Sequence, residues 1–319
     1  MDNQCNETCD YDALDEESKA TASLLSGIRM LYIVGYIIIC ALGVILNSYV
    51  IVVGCHQYHK LQKSPPIIWI LALAVTHLVF SLFLVLQLLY AWHHFNWQCG
   101  AALCKFSSYV FYVSMFSTAA ILSLCTISSR CPDKIKCGSH GTFTALVFIL
   151  CSWTFGVILS SPSLVSRELR NTHLGLQCID DFDFDKEKTT DDGVKKMTAV
   201  VFSRFLLGIL VPMFLMTINI CLGKLQDRSM KETYKWVIGL IKVAYLICWT
   251  PLIILQLVLV TNRREKSFDY LLPAATVLAA SHSMVNPLIY LLVGRKLNMK
   301  WLLKMDEKNS ERVALRNMS

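Results

Sequence analysis

Apolar residues are gathered into seven long stretches that contain almost no charged side chain. These stretches are 22 to 25 residues long and cover residues 31–53, 67–89, 106–127, 143–164, 200–222, 236–260 and 271–293. A hydrocarbon core of about 30 Å needs roughly 20 helical residues, so each stretch is long enough to cross a bilayer as a helix. The pattern predicts an all-α membrane protein built as a bundle of seven transmembrane helices.

The composition agrees with this prediction. Of 319 residues, 55% are hydrophobic and only 17% are charged, and the mean hydropathy is +0.49. A soluble domain has fewer apolar and more charged residues, and seven such helices in water would have no polar face. We therefore exclude a soluble enzyme, a nucleic-acid-binding module and a disordered chain.

The distribution of charge predicts that the N-terminus is extracellular. With that orientation, the short cytoplasmic loops and the tail carry 16 Lys and Arg against 6 acids, whereas the extracellular segments carry 11 against 17. An excess of basic residues on the cytoplasmic side is typical of membrane proteins. We expect an extracellular tail over residues 1–27, the bundle over 28–293, and a short amphipathic eighth helix with a cytoplasmic tail over 294–319.

Two kinds of residue on the predicted extracellular side support this orientation. Asn6 begins an Asn-Glu-Thr glycosylation sequon. Cys104 at the start of span 3 and Cys178 in the long loop before span 5 could form a disulfide that fastens the loop to the bundle. Cys5 could pair with Cys9, and Cys99 would then remain, so either one thiol is free or this pairing is wrong.

Polar and helix-breaking residues inside the predicted spans are costly in lipid and are therefore informative. The sixth span contains Cys248-Trp249-Thr250-Pro251 and the seventh contains Asn286-Pro287-Leu288-Ile289-Tyr290. Together with Asn47, Trp153 and Pro212 in earlier spans, these motifs resemble those of the rhodopsin-like (class A) G-protein-coupled receptors over residues 28–303. Prolines generally are tolerated in membrane helices, but two proline motifs at these two places are specific together.

Three shorter strings narrow the resemblance. They are Cys104-Lys105 after Trp97, Leu159-Ser160-Ser161-Pro162 before Arg167-Glu168, and Arg204-Phe205-Leu206-Leu207-Gly208. They are similar to the chemoattractant branch, which holds receptors for formyl peptides, chemerin and anaphylatoxins. This resemblance implies an extracellular peptide or small-protein ligand. It also implies a heterotrimeric G protein of the inhibitory class, or arrestin, at the cytoplasmic face.

The resemblance also implies functional positions. Five residues would line the ligand cavity: Arg204, Gln87, Phe111, Tyr112 and Gln256. Seven residues would belong to the activation switch: Trp249, Pro251, Asn286, Pro287, Tyr290, Arg130 and His77. For the aromatic residues, plain packing in the core is the alternative. No catalytic residue, cofactor or metal site is expected, and a pump or transporter is disfavoured because the spans contain no acid and the seventh contains no lysine.

Arg204 carries the sharpest ligand hypothesis. It lies eight residues, or about 12 Å, outward of Pro212. A guanidinium there could bind a ligand carboxylate in a bidentate fork. The alternatives are an internal ion pair, which the lack of acids in the spans disfavours, and a side chain that reaches the outer interface.

Acidic runs at residues 10–17 and 180–185 suggest attraction of a basic ligand, and Tyr11 is a candidate for sulfation. A solvated acidic surface without a role is the alternative.

Four features depart from the family pattern. His77 replaces the acid that holds a sodium ion in span 2, so we expect no sodium effect on ligand affinity. The Asp-Arg-Tyr triplet at the end of span 3 reads Ser129-Arg130-Cys131. Ile220 replaces a tyrosine in span 5, and the tail after the predicted helix 295–305 has no cysteine to carry a lipid. Coupling to a G protein is therefore in question, and a scavenger or decoy receptor of the same fold is the alternative function.

Overall fold

The computed structural model describes residues 4–60, 65–128, 138–172, 175–183, 190–221, 232–261 and 268–296. Within these residues, seven helices are long and apolar enough to cross a membrane. Their apolar parts are Thr21–His56, Ile67–Trp92, Gly100–Ser128, Gly141–Ser166, Asp191–Thr217, Trp236–Val260 and Leu271–Leu292. The predicted seven-helix membrane bundle is confirmed.

The helices follow one another along the chain with a single β-hairpin among them. The elements are α1 (Gln4–Lys60), α2 (Pro65–Trp92), α3 (Gly100–Ser128), α4 (Gly138–Ser160), α5 (Pro162–Ser166), β1 (Arg167–Thr172), β2 (Gly175–Asp180), α6 (Asp191–Phe205), a π-helical turn (Leu206–Leu210), α7 (Val211–Cys221), α8 (Glu232–Thr261) and α9 (Phe268–Lys296). α9 includes Arg295, but the rest of the predicted amphipathic helix lies outside the described residues. Arg130 and the side chain of Asn6 also lie outside them.

The hairpin is a feature of the fold that the hydrophobic pattern does not predict. β1 and β2 pair antiparallel, from Arg167 opposite Asp180 to Thr172 opposite Gly175. Gly175 has a φ of +103°, a backbone conformation that side chains with a Cβ rarely adopt. We call the end of the bundle that carries β1 and β2 the hairpin end.

A disulfide and several polar contacts fasten the hairpin to the bundle. Cys104 of α3 is bonded to Cys178 of β2, as predicted. One residue further along α3, Lys105 pairs with Glu168 of β1 at 2.7 Å. On the other strand, the backbone N–H of Trp97 donates to the Leu176 carbonyl at 2.6 Å. Cys99 forms no disulfide with any of the described cysteines. The hairpin is therefore held over the helix ends rather than projecting freely.

Small residues allow the helices to approach closely. Gly156 of α4 lies against Ser117 of α3, where an added Cβ would overlap the serine hydroxyl and lie 3.1 Å from the Val113 carbonyl oxygen. Gly43 of α1 lies against Ser81 of α2 in the same way. Membrane helices associate through such small-residue contacts because lipid tails are as apolar as the helix surfaces.

The π-helical turn leaves a backbone carbonyl that a side chain satisfies. Pro212 has no N–H to donate to the Gly208 carbonyl, and the N–H of Val211 bonds to Leu206, five residues back. The Tyr245 hydroxyl of α8, which is fully buried, donates to the Gly208 carbonyl at 2.8 Å and lies 3.3 Å from the Met115 carbonyl. Tyr245 therefore ties α8 to α3 and to the π turn in the middle of the bundle.

We expect the change Tyr245→Phe to destabilise the purified protein, because the ring is kept while the Gly208 carbonyl loses its side-chain donor. The loss is about 1 kcal/mol, which corresponds to roughly 2–4 °C in Tm for a chain of this size. Thermal unfolding in detergent measures it. In a Pro212→Ala background the new backbone N–H can satisfy the carbonyl, so Tyr245→Phe should cost less there. An equal cost in both backgrounds would contradict the assignment.

Candidate functional site

Arg204 lies between helices near the hairpin end. It stands in the last turn of α6, and only 3% of its surface is exposed. Its guanidinium carbon lies 3.5 Å from the centre of the Tyr112 ring, and its Nη2 donates to the Ser163 hydroxyl at 3.3 Å. No ion pair joins this guanidinium to a carboxylate among the residues that the structure describes. Arg204 therefore keeps a buried positive charge with a π face and a hydroxyl as partners.

An acid that interacts electrostatically with Arg204 lies in the hairpin and not in a span. Asp180 ends β2, and its side chain is 27% exposed. Its Oδ1 lies 3.0 Å from Nε of Arg167 and accepts a hydrogen bond from the Ser166 hydroxyl at 3.1 Å. Burial alone would raise the pKa of Asp180, but Arg167 first, then Arg204, and the Ser166 hydrogen bond hold that pKa below its usual value. Sequence reasoning named Asp180 only as part of an acidic run and did not relate it to Arg204, because it looked for a partner of Arg204 only within the spans.

Three of the five predicted ligand residues form one connected group. The Tyr112 hydroxyl accepts a hydrogen bond from Gln256 Nε2 at 2.9 Å, while the face of the same ring carries Arg204. Tyr112 thus joins α3 to both α6 and α8. Arg204 is therefore connected to α8 through one side chain.

Gln87 and Phe111 lie on another side of the site, between α2 and α3. Gln87 Nε2 donates to the Ser107 hydroxyl at 2.9 Å. Both residues border a cleft that is otherwise lined by Phe80, Phe83 and Leu84. Its volume is about 10 Å³, which is room for one water molecule. A ligand group can enter there only if Gln87 and Ser107 separate.

A column of aromatic rings leads from this site into the bundle. Phe111 packs edge-on against Trp249 with ring centres 5.0 Å apart, and Trp249 packs against His282 at 5.1 Å. His282 in turn meets His77 at 4.8 Å, with the two ring planes perpendicular. The predicted ligand residue Phe111 is therefore connected to the predicted switch residues Trp249 and His77 by successive ring contacts.

The deepest part of the column is a polar cluster centred on His77. This imidazole is fully buried, its Nε2 lies 3.3 Å from the Thr118 hydroxyl, and its two nitrogens lie 3.5 Å from Nδ2 of Asn286. The Asn47 amide donates to the carbonyls of Gly43 and Ser283. These contacts join α1, α2, α3 and α9 where the spans cross.

Several buried polar atoms in this region lack a hydrogen-bond partner among the described residues. They belong to Trp249, His282, Asn286 and Tyr290. Pro251 and Pro287 stand in the same two helices, α8 and α9, and interrupt their backbone hydrogen bonds. Incomplete hydrogen bonding beside two proline kinks is a structural basis for a second packing arrangement of similar energy.

The acidic run of the long loop is used inside the loop itself. Arg170 Nε donates to Asp181 at 2.7 Å, Asp183 accepts a hydrogen bond from the backbone N–H of Thr190 at 2.9 Å, and Asp180 is paired as described above. These three carboxylates stabilise the loop, so less of their charge is available to a basic ligand. The remaining acid of the run, Asp185, lies outside the described residues.

A metal site does not emerge from the part of the chain that the structure describes: no three His, Cys, Asp or Glu side chains converge there as ligands would.

Comparison with known proteins agrees with this architecture. The family description "7 transmembrane receptor (rhodopsin family)" matches residues 46–290. The human chemerin-like receptor 1 is 30% identical over 288 residues, which cover 84% of this chain and 76% of the relative. The mouse protein of the same name is 29% identical over 283 residues, covering 82% and 75%. The rat chemerin-like receptor 2 is 28% identical over 260 residues, covering 78% and 72%.

These findings confirm the resemblance to the chemoattractant branch and the conclusion that the protein is a receptor rather than an enzyme. Membership implies an extracellular ligand on one side of the bilayer and a G protein or arrestin on the other. The matched segment contains both proline motifs, Arg204 and Cys104. The chain therefore belongs to the rhodopsin family of seven-transmembrane receptors.

Proposed function

We propose that this receptor recognises a peptide or small-protein chemoattractant and signals through a heterotrimeric G protein of the inhibitory class. The hairpin end is the extracellular end, in the plasma membrane. The Cys104–Cys178 disulfide supports this orientation, because disulfides persist in oxidising compartments. The sequon at Asn6 and the basic cytoplasmic loops agree with it.

The observation that carries the ligand proposal is the state of Arg204. A buried guanidinium without an ion pair has unused N–H donors in a fixed fork, and carboxylates match that fork better than other groups do. A ligand carboxylate, such as a peptide C-terminus, would take the place that no carboxylate of the described residues occupies. Tyr112, Gln256, Gln87 and Phe111 would surround the rest of the ligand.

Transmission follows from the contacts below the anchor. A carboxylate that draws Arg204 away from Tyr112 frees that ring, and Tyr112 is bonded to Gln256 of α8. Phe111, the residue before Tyr112 in α3, would move with Tyr112. It contacts Trp249, which lies in α8 as Gln256 does. Both contacts bias α8, whose kink at Pro251 allows the cytoplasmic half to swing outward. Asn286, Pro287 and Tyr290 would accommodate the matching change in α9, and Arg130 would meet the G protein.

The second candidate function is a decoy receptor that binds or internalises ligand without G-protein signalling. The altered triplet Ser129-Arg130-Cys131 favours it, because the acid that restrains the arginine in the family is absent. The intact Trp249 and Asn286-to-Tyr290 motifs favour signalling.

Removal of the guanidinium should abolish recognition of a free carboxylate. The relatives' names suggest chemerin as a probe, together with a synthetic peptide that copies its last residues as the free acid and as the amide. We expect Arg204→Gln to weaken binding of the acid on the order of 100-fold, and the parent to distinguish acid from amide while the variant does not. Arg204→Lys should recover only part of the loss, since a lysine lacks the fork.

Arg170→Gln is the matched control for this measurement. Arg170 lies at the same end of the bundle, but it pairs with Asp181. Its removal should leave the acid–amide difference intact. Equal binding of acid and amide peptides to the parent receptor would contradict a carboxylate anchor at Arg204.

Sodium should have no effect on ligand affinity, because the neutral imidazole of His77 stands where the family has an anion, and its nitrogens contact Thr118 and Asn286. Ligand affinity and the Tm of the empty receptor should be the same in sodium chloride and in choline chloride of equal ionic strength. A sodium dependence that His77→Ala abolishes would defeat this prediction.

Ligand-free inhibition of cyclic AMP production distinguishes the two candidate functions. We expect the parent to show a basal signal, because the residue before Arg130 is Ser129 and not the acid of the family pattern. Ser129→Asp should reduce this signal. Silence in the parent with a signal in Ser129→Asp would instead indicate a decoy receptor that has lost its contact with the G protein. Surface expression of both proteins must be matched by antibody labelling of an N-terminal tag.

A further inference from the structure

The charged groups next to Arg204 do not cancel one another. Lys105 pairs with Glu168, and Arg170 pairs with Asp181, so both of these pairs are neutral. The described charged groups that α5 and the Arg167–Asp180 ion pair connect to Arg204 are the guanidinium of Arg167 and the carboxylate of Asp180. Within this connected group, two cations and one anion leave a net charge of one positive unit.

The short helix α5 makes hydrogen bonds to both Arg204 and Asp180, which carry opposite charges. It contains two buried serines, Ser163 and Ser166, three residues apart. Positions three apart on a helix are neighbours, about 5–6 Å between Cβ atoms. Ser163 accepts a hydrogen bond from Arg204, and Ser166 donates one to Asp180. The serines therefore place Asp180 close to Arg204 without letting the two groups form a direct ion pair.

We propose that Asp180 is the internal counter-charge of Arg204 and limits this site to ligands that present a single negative charge. The inference rests on the proposed function and deepens it, because it specifies the chemical class of the anchoring group as a monoanionic carboxylate. One such group brings the junction to neutrality. A dianion, such as a phosphonate, brings one negative charge more than the junction can neutralise, and Asp180 repels it.

A change at Asp180 should therefore have opposite effects on the empty and the occupied receptor. In the empty receptor, Asp180→Asn leaves two guanidiniums with no carboxylate between them, which destabilises the fold. In the occupied receptor, the same change removes a like charge beside the ligand carboxylate, which strengthens binding. If Asp180 only held the hairpin in shape, its loss would lower both stability and affinity.

The first experiment needs no ligand. Thermal unfolding of the purified receptor is compared for the parent, Asp180→Asn, Arg204→Gln and the double variant. We expect Asp180→Asn to lower Tm by about 2–4 °C in the parent and by a smaller amount in the Arg204→Gln background, where the ion pair of Asp180 with Arg167 remains. Asp181→Asn is the matched control, because it breaks an ion pair of the same hairpin with Arg170, and its effect should add to that of Arg204→Gln. Additive effects for Asp180→Asn would overturn the proposal.

The second experiment measures specificity with the peptide that copies the end of chemerin. It is made with a terminal carboxylate, with a terminal amide, and with a phosphonate at alkaline pH, where that group is dianionic. We expect Asp180→Asn to tighten binding of the carboxylate on the order of tenfold, to tighten the phosphonate more, and to leave the amide unchanged. Weaker binding of all three peptides would overturn the proposal.

The two experiments separate this inference from the function on which it rests. If none of the three peptides binds the parent receptor, the proposed ligand class is wrong, whereas the unfolding cycle still decides whether Asp180 balances Arg204. If the cycle is additive although the carboxylate peptide binds, Arg204 remains the anchor and Asp180 is not its counter-charge.

Discussion

Hydrocarbon offers no hydrogen-bond partner, so every polar group inside the seven helices must be satisfied by the protein itself. The structure meets this constraint in ways that connect distant helices. The carbonyl freed by Pro212 is bonded by a tyrosine from α8, and the Asn47 amide reaches two carbonyls of different helices. Tyr245 and Asn47 are thus also links between helices. The same constraint makes Arg204 exceptional, because a buried charge is far costlier than a buried amide.

The seven spanning helices follow from the hydrophobic pattern, because a nearly uncharged stretch of bilayer length is stable in a membrane as a helix. The positions of Trp249, Asn286 and the disulfide also follow, since the sequence around them resembles that of a large family. The hairpin does not follow. Its strands carry Arg167, Arg170 and Asp180 in place of the alternating apolar residues that mark a strand. Arg167 pairs with Asp180 across the register, and Arg170 pairs with Asp181, the residue after β2.

Other parts of the site could not be predicted because they join residues that are far apart in the chain. The contact of Arg204 with Tyr112 spans almost a hundred positions, and nothing in either local sequence indicates it. The role of Ser163 and Ser166 depends on a five-residue helix that Pro162 begins. For His77, the sequence indicates a polar residue inside span 2, but its perpendicular contact with His282 depends on how α2 and α9 cross.

The geometry suggests why recognition and signalling use neighbouring residues of one helix. Tyr112 meets the charged anchor and Gln256, while Phe111 meets Trp249 and, through it, His282. Successive residues of a helix point about 100° apart, so these two side chains face different partners and yet must move together. A shift of α3 too small to break its packing then changes two contacts with α8 at once. Coupling of this kind needs no large motion at the ligand, because the kink at Pro251 amplifies a small rotation over the length of the cytoplasmic half.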